Sequence, residues 1–263
     1  MKHIQTIIRK EWEDAMRNKM VFYVVVLVPL FMVILPIVLL YLMGHLPISE
    51  SDMQELGRAL NSPLFQGMQP EEAMQSVMTS NMLVLFLMMP IMVPVTIAAY
   101  SIVGEKVQRS LEPLLATPVS TTELLLGKGI AAALPGVLTT WIAYGIFLIF
   151  AWFLAASPRV FGIFINPMWL VALFVLAPLL TIMAVNFGLI ISSRVSDPRS
   201  AEQLGALIVL PLMLLFIGGL SGFIPLDSRT FWVTSILVAV TDVVLVYFAV
   251  VLFQRETILT RWK

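Results

Sequence analysis

Apolar residues run for twenty or more positions six times along this chain, over 20–43, 81–103, 129–156, 168–193, 204–224 and 231–253. A helix rises 1.5 Å per residue, so about 20 residues cross the ~30 Å hydrocarbon core of a bilayer. The pattern therefore predicts six membrane-spanning helices. Before the first run, Ile4, Ile7, Ile8, Trp12, Ala15 and Met16 recur at helical spacing, while Arg9, Lys10, Glu13, Asp14 and Arg17 fall on the other side. That is the pattern of an amphipathic interfacial helix over 1–19, with Trp12 and the cations suited to the headgroup zone. It reads equally as an elbow that couples a partner's motion to the first span and as a static anchor.

The second polar, periodic stretch lies between runs two and three, at residues 104–128, GEKVQRSLEPLLATPVSTTELLLGK. Glu105 and Arg109 stand at i and i+4 in the favourable order, which supports a short helical extension of the second span. Pro113 removes an amide and restrains Glu112, so the extension is expected to break there. Ser120 with Glu123 forms a capping box, and Val119 with Leu124 the matching hydrophobic staple, so a new helix is expected to start at Thr121. A short leucine-bearing helix with a proline-set entry angle suits a groove on a partner, and equally suits an ordinary interfacial loop.

Composition agrees with the runs: 59% of residues are hydrophobic, 12% are charged and the mean hydropathy is +0.95, which excludes an ordinary soluble domain. The zero net charge conceals an asymmetry. Thirteen Lys and Arg fall in the N-terminal segment, the second and fourth loops and the tail, against Arg58, Arg159 and Arg229 in the other loops. Short translocated loops shed positive charge, so both termini are expected on the cytoplasmic side of a cell (inner or plasma) membrane. The loop at 44–80 is acidic and too short for a domain of its own. Within it, Pro70 followed by Glu71 and Glu72 is a good helix start. With no cysteine, disulfides, thiolate metal sites and cysteine nucleophiles are excluded together.

Polar groups inside the runs are few. Asp242 is the one ionisable carboxylate or base well within a span, and an unpaired carboxylate there costs at least ~2.5–3.5 kcal/mol on insertion scales. It is expected to face protein or water, either as a cation or proton site or as a hydrogen-bond partner of Asn186 in the fourth span. Thr234, Ser235 and Thr241 lie near the same helical face. Seven prolines, Pro29, Pro36, Pro90, Pro94, Pro135, Pro178 and Pro211, interrupt five of the six runs. Each frees a carbonyl that needs another donor, which implies kinks that serve as hinges or as fixed bends. Gly218 and Gly222 form a small-xxx-small pair.

The run Glu105-Lys106…Ser110-Leu111-Glu112-Pro113-Leu114-Leu115-Ala116-Thr117-Pro118-Val119-Ser120…Glu123-Leu124…Gly127-Lys128 resembles the signature between the second and third spans of ABC-2 type transporter permeases. More narrowly, it is similar to those of sodium-efflux or multidrug exporters. Gly218-Gly219-Leu220-Ser221-Gly222 resembles the glycine-rich outer end of the fifth span in that family, beneath the exit. The resemblance implies one all-α, six-span ABC-2 transmembrane domain over 1–263, working as a homodimer or heterodimer with separate cytoplasmic ATPase subunits. It makes Glu105, Arg109, Glu112, Leu115, Pro118 and Glu123 candidates for the surface facing the ATPase. It also places spans two and five along the path, with Thr96, Tyr100, Asn186 and Asp242 as candidate polar groups there and Gly218, Gly219 and Gly222 at the exit.

No G-x-x-x-x-G-K-[ST] phosphate loop occurs in the chain. The chain is thus expected to be no enzyme and to bind no cofactor, ATP being used by the partner. An intramembrane hydrolase needs a convergent catalytic set, and His3 and His45 lie at opposite ends of the first span. An ion-coupled secondary carrier, or a membrane sensor or anchor subunit, is the alternative. No basic stripe with aromatics points to nucleic acid. Sodium ions, amphipathic drugs, lipids and saccharides all remain as cargo, with Asp242 tilting towards a cation.

Overall fold

The computed structural model describes residues 2–45, 68–107, 121–195, 197–220, 224 and 227–252. Among them, secondary structure is entirely helical. In chain order the helices are α1 (Lys2–Arg17), α2 (Lys19–Met43), α3 (Pro70–Asn81), α4 (Leu83–Val107), α5 (Thr121–Leu154), α6 (Pro158–Phe164), α7 (Pro167–Val171), α8 (Ala177–Arg194), α9 (Pro198–Ala206), α10 (Leu210–Leu220) and α11 (Ser228–Leu252). A π-turn, Ala172–Leu176, joins α7 to α8, and a 3₁₀ turn, Leu207–Val209, joins α9 to α10. Six stretches are long and apolar enough to cross a membrane: Val21–Met43, Pro70–Glu105, Thr122–Leu154, Pro158–Arg194, Arg199–Gly219 and Ser228–Val250. The end of the bundle that carries α1 is called proximal below, and the opposite end, where α3 and α6 lie, distal.

Spans 2 and 4 are longer than the hydropathy pattern alone predicts. α3, expected as a short loop helix, is separated from α4 only by Met82, so span 2 covers 36 residues. The start of α3 follows the expected chemistry, with Pro70 in its first turn and Gln69 and Glu72 reciprocally bonded in a capping box. Span 4 likewise begins early, through α6 and α7, each opened by a proline, with the Asn166 side chain capping Trp169 N–H.

These two spans form the centre of the molecule. Spans 2 and 4 are 78% and 67% buried, against 22–33% for the others, so the other four present most of their surface outward. Contact between α4 and α8 is close because small residues line it. A side-chain carbon added at Gly188 would stand 2.9 Å from Ala98 Cβ and 3.2 Å from the Val95 carbonyl, so only glycine fits. One turn further, the fully buried Ser192 hydroxyl accepts from Val103 N–H at 3.0 Å and donates to the Ala99 carbonyl at 2.7 Å. Those two main-chain groups are helical partners of each other, so one side chain of span 4 bridges a turn of span 2. Towards the distal end, Trp169 is fully buried among Phe86, Tyr144, Phe147 and Phe164, at ring distances of 5.5–6.0 Å. Pairs of this kind stabilise by about 0.5–1.5 kcal/mol beyond area burial.

The carbonyls freed by three of the prolines find donors in three different ways. Pro135 cannot bond Ala131 O, and the Trp12 indole of α1 donates to it at 2.9 Å. In the π-turn Ala177 N–H bonds Ala172 O, so the next carbonyl, Leu173 O, falls to Pro178, which has no N–H; Trp141 of span 3 donates to it at 2.9 Å. Pro211 leaves Leu207 O open, and the chain tightens to 3₁₀ so that Leu210 N–H reaches it instead.

Candidate functional site

α1 does not lie chiefly along the first span. Its main contact is with the first turns of α5, and the residue that decides this is one the amphipathic pattern passes over. Glu11 sits in the middle of the buried stripe of α1, 7% exposed, and faces Lys128, which is 2% exposed. The Lys128 ammonium donates to Glu11 Oε1 at 2.6 Å, to the Ser101 hydroxyl at 2.9 Å and to the Ser101 carbonyl at 3.1 Å. It also pairs with Glu105 Oε1 at 3.0 Å. The Ser101 hydroxyl in turn donates to Glu11 Oε2 at 2.7 Å, and Lys10 pairs with Glu105 Oε1 at 2.8 Å.

Two carboxylates and two ammoniums thus balance in a site closed from solvent except at the Lys10 side. Burying each ion costs several kcal/mol, and geometry of this quality is what offsets it. Burial alone would lower the Lys10 ammonium, but the hydrogen bond and charge of Glu105, with Glu11 and Asp14 beyond, outweigh it and raise it above the usual lysine range.

The remaining contacts of α1 seat the ion cluster. Ile7 packs so closely on Gly127 that a side-chain carbon there would stand 2.8 Å from Ile7 Cγ2, so glycine is required one residue before Lys128. Trp12 reaches the carbonyl freed by Pro135 one turn further along. The arrangement is a clasp. Glu105 is near the end of α4 and Lys128 near the start of α5, so both ends of the intervening segment are tied to α1.

Of the residues assigned to a partner-facing surface, Arg109, Glu112, Leu115 and Pro118 lie outside the described residues, as does Ser120 of the expected capping box. α5 is helical from Thr121, the first residue described after Val107. Glu123 is half-buried in its first turn. Glu105 is 6% exposed, and its carboxylate faces Lys10 and Lys128 within the chain rather than outward.

The candidate path residues do not converge. Thr96 is buried and donates to Met92 O of its own helix, and Asn186 donates to Ile182 O of its own. Tyr100 is half-buried, near enough to Asp197, Arg199 and Glu202 at the start of span 5 to feel their charge. Asp242 is 6% exposed on the buried seam of α11, which also carries Phe231, Ser235, Val238 and Ala249. Neither of its oxygens has a hydrogen-bond partner among the described residues, so the Asn186 contact does not form. Ser235 and Thr241 are back-bonded to Phe231 O and Leu237 O.

Gly218 and Gly219 lie at the end of α10, and Gly222 is outside the described residues. The chain returns on Gly218, whose carbonyl accepts from Ile224 N–H at 3.0 Å. A side-chain carbon at Gly218 would collide with Ile224 Cδ1 at 2.6 Å, so the close approach there is within the chain.

The chain thus has six apolar spans, with α1 held to spans 2 and 3 by the ion clasp. A family model for ABC-2 family transporter proteins matches residues 5–229, and the chain belongs to that family. It is a multi-pass membrane permease of the ABC transporter class. No curated protein matches it.

Proposed function

We infer that this permease is the membrane half of an ATP-driven exporter, taking its energy from separate ATPase subunits that dock on the segment between spans 2 and 3. The clasp carries the reading. A segment whose two ends are pinned by Glu105 and Lys128 to Glu11 and Lys10 of α1 cannot be displaced without moving α1 and spans 2 and 3 together. A push from a docked ATPase is therefore delivered to the central span and, through Trp12, to the Pro135 kink of span 3. The charge asymmetry of the loops assigns the proximal face to the cytoplasm, with Arg109, Glu112, Leu115, Pro118 and Glu123 presented to the ATPase. A second permease subunit completes the path, and span 5 offers it the exposed stripe Leu207, Leu210, Leu214 and Ile217.

The test is purification of the tagged chain in mild detergent with its native neighbours. An ATPase is expected to co-purify, and Glu112→Ala with Glu123→Ala to weaken that association while membrane insertion is unchanged. Undiminished co-purification of the double variant sinks the docking assignment. Asp242, whose oxygens have no hydrogen-bond partner among the described residues, favours one second reading, an ion-coupled carrier, which loses its support if Asp242→Asn transports normally across pH.

A further inference from the structure

At the distal end a single uncharged side chain does what the ion clasp does at the proximal end. Gln75 of α3 is fully buried. Its amide nitrogen donates to Leu40 O at 2.8 Å and Leu154 O at 3.0 Å, and its oxygen accepts from Ala156 N–H at 2.8 Å. Leu40 lies in the last turn of α2 and Leu154 closes α5, so their carbonyls are of the kind helix ends leave without a partner. One glutamine therefore joins the distal ends of spans 1 and 3 to the extension of span 2.

These bonds differ in kind from the contacts just inward of them. If the distal ends parted, water would take each of the three main-chain groups, so release exchanges hydrogen bonds rather than losing them. The Phe86, Tyr144, Phe147, Phe164 and Trp169 cluster has no such substitute and stays dry. A leucine at position 75 would hold the ends by packing alone and leave three polar groups buried without partners. The geometry fits a fastening that opens and recloses.

We propose that Gln75 is the latch of a distal gate, closed in this structure and released when spans 1 and 3 move away from α3. The proposal rests on the reading of the chain as a transporter with alternating access. Its test needs neither the ATPase nor the cargo, so failure of the ATPase to bind leaves it standing and its own failure leaves the docking reading standing.

The chain has no cysteine, and Ser76, next to Gln75 and fully buried, accepts a near-isosteric probe as Ser76→Cys. With the full chain in lipid nanodiscs, a water-soluble maleimide is expected to label this thiol slowly. Labelling should be at least about ten-fold faster with Gln75→Leu or Gln75→Glu, since each removes donors the latch uses. Glutamate keeps the acceptor for Ala156 and places a carboxylate against two carbonyls, so it decides the matter if the leucine variant fails to insert. Ala132→Cys, fully buried towards the proximal end, should stay unlabelled in both backgrounds. An unchanged Ser76→Cys rate overturns the latch. So does equal exposure of both probes, which would make Gln75 a residue the whole fold depends on.

Discussion

Replacing Lys128 by Met keeps the stem of the side chain and removes the charge at the centre of the clasp. Glu11 and Glu105, 7% and 6% exposed, then face each other without the ammonium that now stands 2.6 Å from one and 3.0 Å from the other. Lys10 still serves Glu105, but among the described residues Glu11 retains only the Ser101 hydroxyl. Removing one partner of a buried pair costs about 3–5 kcal/mol, because the surviving charge stays desolvated. Each kcal/mol moves the midpoint of a domain of this size by about 2–4 °C, so Lys128→Met should unfold about 6–20 °C below the wild type. The assay is tryptophan fluorescence of the detergent-solubilised chain at one fixed scan rate, since membrane proteins often unfold irreversibly. Adding Glu11→Gln to Lys128→Met removes the stranded charge and should recover more than half of the loss. A single variant within about 2 °C of wild type, or a double variant no better than the single, would refute the account of the clasp as a mutually dependent ion cluster.

Three further outcomes follow from the same geometry. Trp12→Phe strands Ala131 O at a cost of about 1–3 kcal/mol, and in a Pro135→Ala background, where an amide again reaches that carbonyl, the cost should fall by at least about half; equal costs in the thermal double-mutant cycle would show that the indole does not answer the proline. Asp242→Val exchanges a buried, unpartnered carboxyl for an apolar side chain of similar bulk and should stabilise by about 2–3 kcal/mol, whereas a lower melting temperature would reveal a partner beyond the described residues. Lys10 is a base raised by its acids, so its contribution is complete below the ordinary lysine range and is lost as pH rises through the raised value. The gap in melting temperature between wild type and Lys10→Met should therefore stay level from about pH 6 to about pH 9, and a gap that closes within that window contradicts the pairing with Glu105.

Hydrophobic run length was enough to find all six spans, because a bilayer demands about 20 apolar residues wherever a helix crosses it. Local chemistry was enough for the start of α3 at Pro70, since a proline in the first turn followed by acids suits a helix N-terminus. The clasp was not legible, for a physical reason. Glu11 is a charged residue in the middle of a buried stripe, and what makes that tolerable is Lys128, 117 positions away in the chain. Amphipathic periodicity records which side of α1 is apolar on average and carries no information about a distant counter-ion. Glu105 was assigned to the ATPase-facing surface by the family resemblance, and the segment's own pattern carries no sign that Lys10 and Lys128 match its charge within the chain. Gln75 is harder still, because all three of its partners are main-chain groups, which every residue has.

The two ends of the central span are thus fastened by different chemistry, and the difference suits the tasks proposed for them. At the proximal end four charges and a hydroxyl interlock, so drawing Lys128 away from Glu11 leaves desolvated ions, and the unit resists partial opening. That is the property required of a part that must pass on a push without absorbing it. At the distal end the bonds are neutral, few and replaceable by water, which is the property required of a part that opens in every cycle. Between them, the Ser192 hydroxyl bridges Ala99 and Val103, so this turn of span 2 has an alternative partner for both of its main-chain groups. Bending there costs less than in an unbridged helix, because neither group is stranded as the turn opens. Span 2 therefore has a stiff attachment at one end, a releasable one at the other and a compliant turn beside the stiff end. A displacement entering at Glu105 and Lys128 can then change its tilt without disturbing the aromatic cluster around Trp169.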